Sequence, residues 1–84
     1  MDKFAKRSLI EVEWRDATSV QGWNSIADLA ENFGSMKVRT VGYLIKQSKD
    51  EIMLGMTQTI DDSTNMAMVI PAKWVTKVKV LRKG

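Results

Sequence analysis

Apolar and polar positions alternate over residues 8–16, with Ile10, Val12 and Trp14 on one side and Glu11, Glu13 and Arg15 on the other. A period of two marks a strand buried on one face. Thr18 to Gln21 reads as a loop, punctuated by Gly22. From Ser25 the spacing changes: Ile26, Leu29, Ala30 and Phe33 recur at helical intervals, and Asp28 lies where a weak capping box needs it. Asn32 and Gly34 stop this helix, Gly34 standing where a left-handed residue would end it. At about two and a half turns the helix is unstable alone and has to dock.

From Lys37 onward the pattern is strand and turn. Residues 38–47 are β-rich, with Gly42 marking a bend or bulge. Ser48 to Glu51 makes a polar hairpin turn, 52–60 return as a strand containing Gly55, and Asp61 to Asn65 make a second turn. Residues 65–70 form a third strand of this meander, which Pro71 ends because it cannot donate to a ladder. Ala72 to Val75 fits one 3₁₀ turn, and 76–82 close with Val78 and Val80 on one face and Lys77 and Lys79 on the other. These elements predict a single, mainly β domain over 1–84, with 1–7 a flexible N-terminus. The expected architecture is a small five-stranded SH3/Sm-like barrel with a short helix between strands 1 and 2 and a 3₁₀ turn before the last strand. An open five-stranded sheet with the helix packed on it is the alternative.

Composition removes several function classes. The 84 residues include no cysteine and no histidine, which excludes disulfides, thiolate metal sites and every nucleophile paired with histidine. A core this thin usually needs help, and self-association is the stabiliser left. Met53, Met56, Met66 and Met68 lie on strands apolar on both faces, and a small barrel buries only one of them. This predicts a homo-oligomer, with a tetramer as the first guess and a helix-covered monomer as the alternative. No apolar run is long enough for a membrane span, so a cytoplasmic protein with no membrane partner is expected.

The net charge of +3 is unevenly spread. Residues 73–84 carry Lys73, Lys77, Lys79, Arg82 and Lys83 with no acid, whereas 8–72 hold an excess of acids. Such a basic end either grips phosphate or keeps an edge strand from aggregating.

The densest chemistry lies between Glu13 and Trp23: Trp14, Arg15, Asp16 and Ser19, closed by Trp23 itself. Tryptophan offers a stacking face and arginine a fork of donors, which suit bases and phosphates; the alternative is that both tryptophans are packing. Arg39 and Tyr43 share a strand face and could hold phosphate and base, or rim and core. Gln58 and Thr59 are suited to base edges or are ordinary surface positions. Lys73 flanks the tight turn beside Trp74, which either plugs the domain or stacks a ligand. Glu11 and Glu13 converge on nothing, and Asp61-Asp62 reads as a turn, so no catalytic centre, metal or cofactor is expected.

The succession Val12-Glu13-Trp14-Arg15-Asp16-Ala17, Ser19, Trp23, then Val38 to Leu44, then Ile70-Pro71, resembles a large family of small phage proteins. Within it the chain is similar to the anti-CBASS sponges, which sequester the cyclic nucleotide signals of bacterial antiviral defence. The resemblance spans about 12–81, in short degenerate motifs. It implies an oligomeric immune-evasion protein in the cytoplasm of the infected host, binding a cyclic dinucleotide such as cyclic GMP-AMP without cleaving it. Trp14, Trp23 and Tyr43 would then stack bases, Arg15, Arg39 and Lys73 would hold phosphate, and Asp16, Ser19, Gln58 and Thr59 would read base edges. Two other expectations stay open: an Sm/SH3-like nucleic-acid-binding protein, and a protein-interaction or virion-associated module.

Overall fold

The structure, a computed structural model, describes residues 3–84. The order of elements is β1 (Leu9–Asp16), α1 (Ile26–Asn32), β2 (Met36–Gln47), β3 (Glu51–Gly55), β4 (Ala67–Pro71), a 3₁₀ turn (Ala72–Trp74) and β5 (Val75–Arg82). The strands form one five-stranded antiparallel sheet in the order β4-β3-β2-β1-β5. It is not closed, since the outer strands β4 and β5 are not hydrogen-bonded to each other.

The alternation in β1 aims Ile10, Val12 and Trp14 inward, and these residues join Leu44, Ile52, Leu54 and Ile70 in one buried cluster. Burial this complete on one face of a single sheet requires the sheet to roll onto itself. The chain supplies the reason. Pro71 ends one outer strand and Val75 starts the other, so four virtual bonds of about 3.8 Å each hold these residues within about 15 Å. A flat sheet would separate its outer strands by about 19 Å, and the tight rise of a 3₁₀ turn shortens the link further. Two contacts fasten the turn: the Ala72 N–H donates to the Asp50 carbonyl at 2.8 Å, and the Trp74 ring stacks on Trp14 with centroids 6.1 Å apart. Trp14 is therefore core, with its Nε1–H donating to Thr40 Oγ1 at 3.0 Å.

Several expectations change. Gly42 makes no bulge: it pairs with Ile10, and a Cβ there would lie 3.0 Å from the Gly55 carbonyl, so a side chain would press on the neighbouring strand. The register slips beyond it, between Leu44 and Lys46. The third strand stops at Gly55, and 57–60 belong to the connecting loop, where Thr59 accepts from the Ser63 N–H through its side chain and from the Asp62 N–H through its carbonyl. Gly34 does not end α1 in a left-handed conformation; Phe33 ends it in an extended one, φ −108°. Of the expected N-terminal tail, Met1 and Asp2 lie outside the described residues, while Phe4 packs against the core.

Among the described residues the helix has no extensive packing against another element of its chain. None of its residues is buried, and Trp23 and Ile26 are 105% and 85% exposed. Residues 17–35 form an arm beyond the last β1–β2 pair, Asp16 opposite Met36, closed at its base by Thr18 Oγ1–H donating to the Gly34 carbonyl at 2.6 Å. The molecule is accordingly long, 52 × 26 × 20 Å, with a radius of gyration of 16.0 Å against about 12 Å for a compact chain of this length.

If the rolled sheet is the whole core, Leu54→Ala should lower the unfolding free energy by about 2–5 kcal/mol in a urea titration. Ile60→Ala, at a fully exposed apolar position, should stay within about 0.5 kcal/mol of the parent.

Candidate functional site

An open cleft of about 630 Å³ is lined by Lys3, Gln47, Ser48, Lys49, Ala72 and Lys73. Three remote stretches of chain build it. The β2–β3 turn is shaped by Ser48, whose Oγ accepts from the N–H of Asp50 at 3.2 Å and of Glu51 at 3.3 Å. The Ala72-to-Asp50 hydrogen bond pins the 3₁₀ turn, and with it Lys73, against this turn. The N-terminal segment is held by the Phe4 N–H donating to Gln47 Oε1 at 3.1 Å. Each stretch contributes a lysine, and among the described residues no carboxylate lines the cleft. Among the described residues the ion pairs are Arg7–Asp62 and Arg39–Glu13, and neither involves these three lysines. Ammonium groups gathered around a cleft attract and hold an anion.

Of the residues expected to form a site, only Lys73 lines this cleft. Trp14 is buried in the core. Arg39 lies on the outer face, where its Nε–H donates to Glu13 Oε1 at 3.1 Å, while Lys77 and Lys79 stand opposite Glu13 and Glu11 on β5. The pairing commits Arg39 to a carboxylate rather than leaving it open to phosphate. Arg15 and Asp16 end β1, where Asp16 Oδ1 accepts from the Ala17 N–H at 2.9 Å; Ser19 and Trp23 lie exposed on the arm. Tyr43 and Gln58 do meet, at a second cavity of about 80 Å³ shared with Arg7, Asp62 and Thr64. That volume is too small for a nucleotide. Thr59 is spent on its own loop. Sequence reasoning missed Lys3, Lys49, Gln47 and Ser48, because nothing local announces them: the contacts to Asp50 and Gln47 that gather them are long-range.

Arg7 fastens the 56–66 loop over the outer face. Its Nε and Nη2 donate to the two carboxylate oxygens of Asp62, the second at 2.7 Å, and its Nη1 reaches the Leu44 carbonyl at 3.4 Å. Both residues adopt left-handed backbone, φ 67° and 63°, which fits a tight fork-to-fork pair. The hydrogen bond from Arg7, aided by its positive charge, holds the Asp62 carboxyl below its usual range, and the same bond raises the Arg7 guanidinium.

No protein-family model, no curated protein and no solved structure matches this chain. Among the described residues there is no cluster of three or more potential metal-ligating side chains, and no helix is long and apolar enough to cross a membrane.

A depressed carboxyl pKa contributes stability that is complete above its unfolded value, about 3.9, and is lost as pH falls through the folded value. The melting temperature should therefore fall on acidification from pH 7 to about pH 3, and fall less in Asp62→Asn, which has no such charge to lose. Equal falls in parent and variant would contradict the clamp.

Proposed function

We propose that this protein binds a small polyanionic nucleotide in the lysine cleft and holds it without transforming it. The observation that carries the reading is the convergence of Lys3, Lys49 and Lys73 on one cleft. Its volume, about 630 Å³, falls within the range of small-molecule sites, about 300–1,000 Å³. Three ammonium groups match a ligand with more than one phosphate, and the Ser48 hydroxyl adds a polar partner for sugar or base.

The resemblance to phage sponges supplies the ligand class: a cyclic oligonucleotide signal, a cyclic dinucleotide such as cyclic GMP-AMP, sequestered in the cytoplasm of an infected bacterium. Sequestration asks for affinity and not for a catalytic group. The body reads as an SH3/Sm-like barrel left open at the β4–β5 seam, and the cleft flanks the 3₁₀ turn that bridges this seam. Trp74, adjacent to Lys73 and 41% exposed, is the nearest aromatic in sequence for a base.

A thermal-shift screen against cyclic di- and trinucleotides, with linear dinucleotides and short single-stranded RNA as controls, tests this. A cyclic ligand at about 100 times its dissociation constant should stabilise the fold by about 2.7 kcal/mol. Lys49→Ala and Lys73→Ala should each weaken that binding by about tenfold or more. An equal response to linear RNA would favour the general nucleic-acid reading. A flat response throughout would leave the cleft without its ligand and overturn the proposal.

A further inference from the structure

The arm is a surface without a cover. A helix of seven residues, none of them buried, has too few hydrogen bonds to persist on its own. Yet it is locally well formed: Ser25 Oγ accepts from the Asp28 N–H at 3.4 Å, Asn32 Nδ2 donates to Asp28 Oδ1 at 2.7 Å, and Thr18 closes the base. In the arm Val20, Trp23, Ile26 and Phe33 face solvent. A polar arm would need no explanation, but this one displays the side chains most expensive to leave in water.

Area indicates what size of surface is missing. The chain exposes 6483 Å², whereas a compact monomer of 9.5 kDa exposes about 5,000 Å². The excess, about 1,400 Å² per chain, is what a protomer of an obligate homodimer buries, since such interfaces cover about 2,000–5,000 Å² in total.

Charge indicates where the arm docks. Residues 17–35 contain Asp28 and Glu31 and no lysine or arginine. The last twelve residues, 73–84, contain five bases and no acid. They include β5, an outer strand whose free edge no other strand covers and where Val80 and Leu81 are exposed. An acidic apolar arm and a basic apolar strand edge are complementary, and both exist on every copy.

We infer that the protein is a dimer in which the 17–35 arm of each protomer lies along the β5 edge of the other. The exchange is reciprocal, so the two contacts are identical and the assembly closes. It covers Trp23 and Ile26, gives α1 the support its own chain does not supply, and blocks the β5 edge against uncontrolled strand addition. The inference is independent of the nucleotide in the lysine cleft.

Sedimentation equilibrium of the full chain, over a range of concentrations, tests it. The parent should sediment with twice the chain mass at micromolar concentration. Trp23→Ser combined with Ile26→Asp should raise the dissociation constant by about thirtyfold or more while leaving the β circular-dichroism signal intact, because neither side chain touches the core. Lys77→Gln with Lys79→Gln should raise it by about tenfold, and added salt should act in the same direction. A parent that stays monomeric would overturn the inference, including one whose arm binds a different protein or a lipid vesicle instead. A dimer indifferent to the arm substitutions, or one indifferent to those on β5, would overturn it equally.

Discussion

Everything in the body follows from the shortness of the link between β4 and β5. One sheet with no second layer cannot bury a face unless it rolls, and four virtual bonds between Pro71 and Val75 leave it no flat alternative. Rolling brings Ile70 of one outer strand into the same cluster as Ile10, Val12 and Trp14 of β1. The Trp14–Trp74 stack then packs the turn against the first strand. The same link carries Lys73 to the β2–β3 turn, so the constraint that makes the core also assembles the basic cleft.

The strands were legible in the sequence where burial follows the period of two. Ile10, Val12 and Trp14 alternate with charges because one face is core and the other solvent, and β1 forms where that pattern lies. The 3₁₀ turn was legible because proline stops a strand and the next few residues are too few for anything longer. The end of β3 was not, since Thr57 to Ile60 have good strand propensity but are drawn into a loop by the Asp62 and Thr59 contacts. Helix α1 shows the limit most plainly. Its apolar periodicity correctly predicts a helix, but the docking that this periodicity led us to expect is not made on the sheet of its own chain.

The candidate site was less legible than the fold. Arg39 and Trp14 have the chemistry of ligand groups, but β-sheet register gives Arg39 a glutamate neighbour and turns Trp14 inward. Lysines in turns look like ordinary solvated positions. Lys3, Lys49 and Lys73 are separated by long stretches of sequence, and only the Phe4–Gln47 and Ala72–Asp50 hydrogen bonds bring them to one cleft. The division that results is simple: inward faces make the core, the seam makes a cationic cleft, and the arm stands outside both.

The central claim is that the rolled sheet is complete without the arm. Since Asp16 and Met36 are already paired, residues 17–35 can be replaced by an Asn-Gly hairpin turn that continues β1 directly into β2. Thermal unfolding of this shortened chain, followed by circular dichroism, is the most direct measurement. The account predicts a β-sheet spectrum and a cooperative transition in a monomer. A chain that no longer folds would contradict it, and would show that the arm belongs to the core.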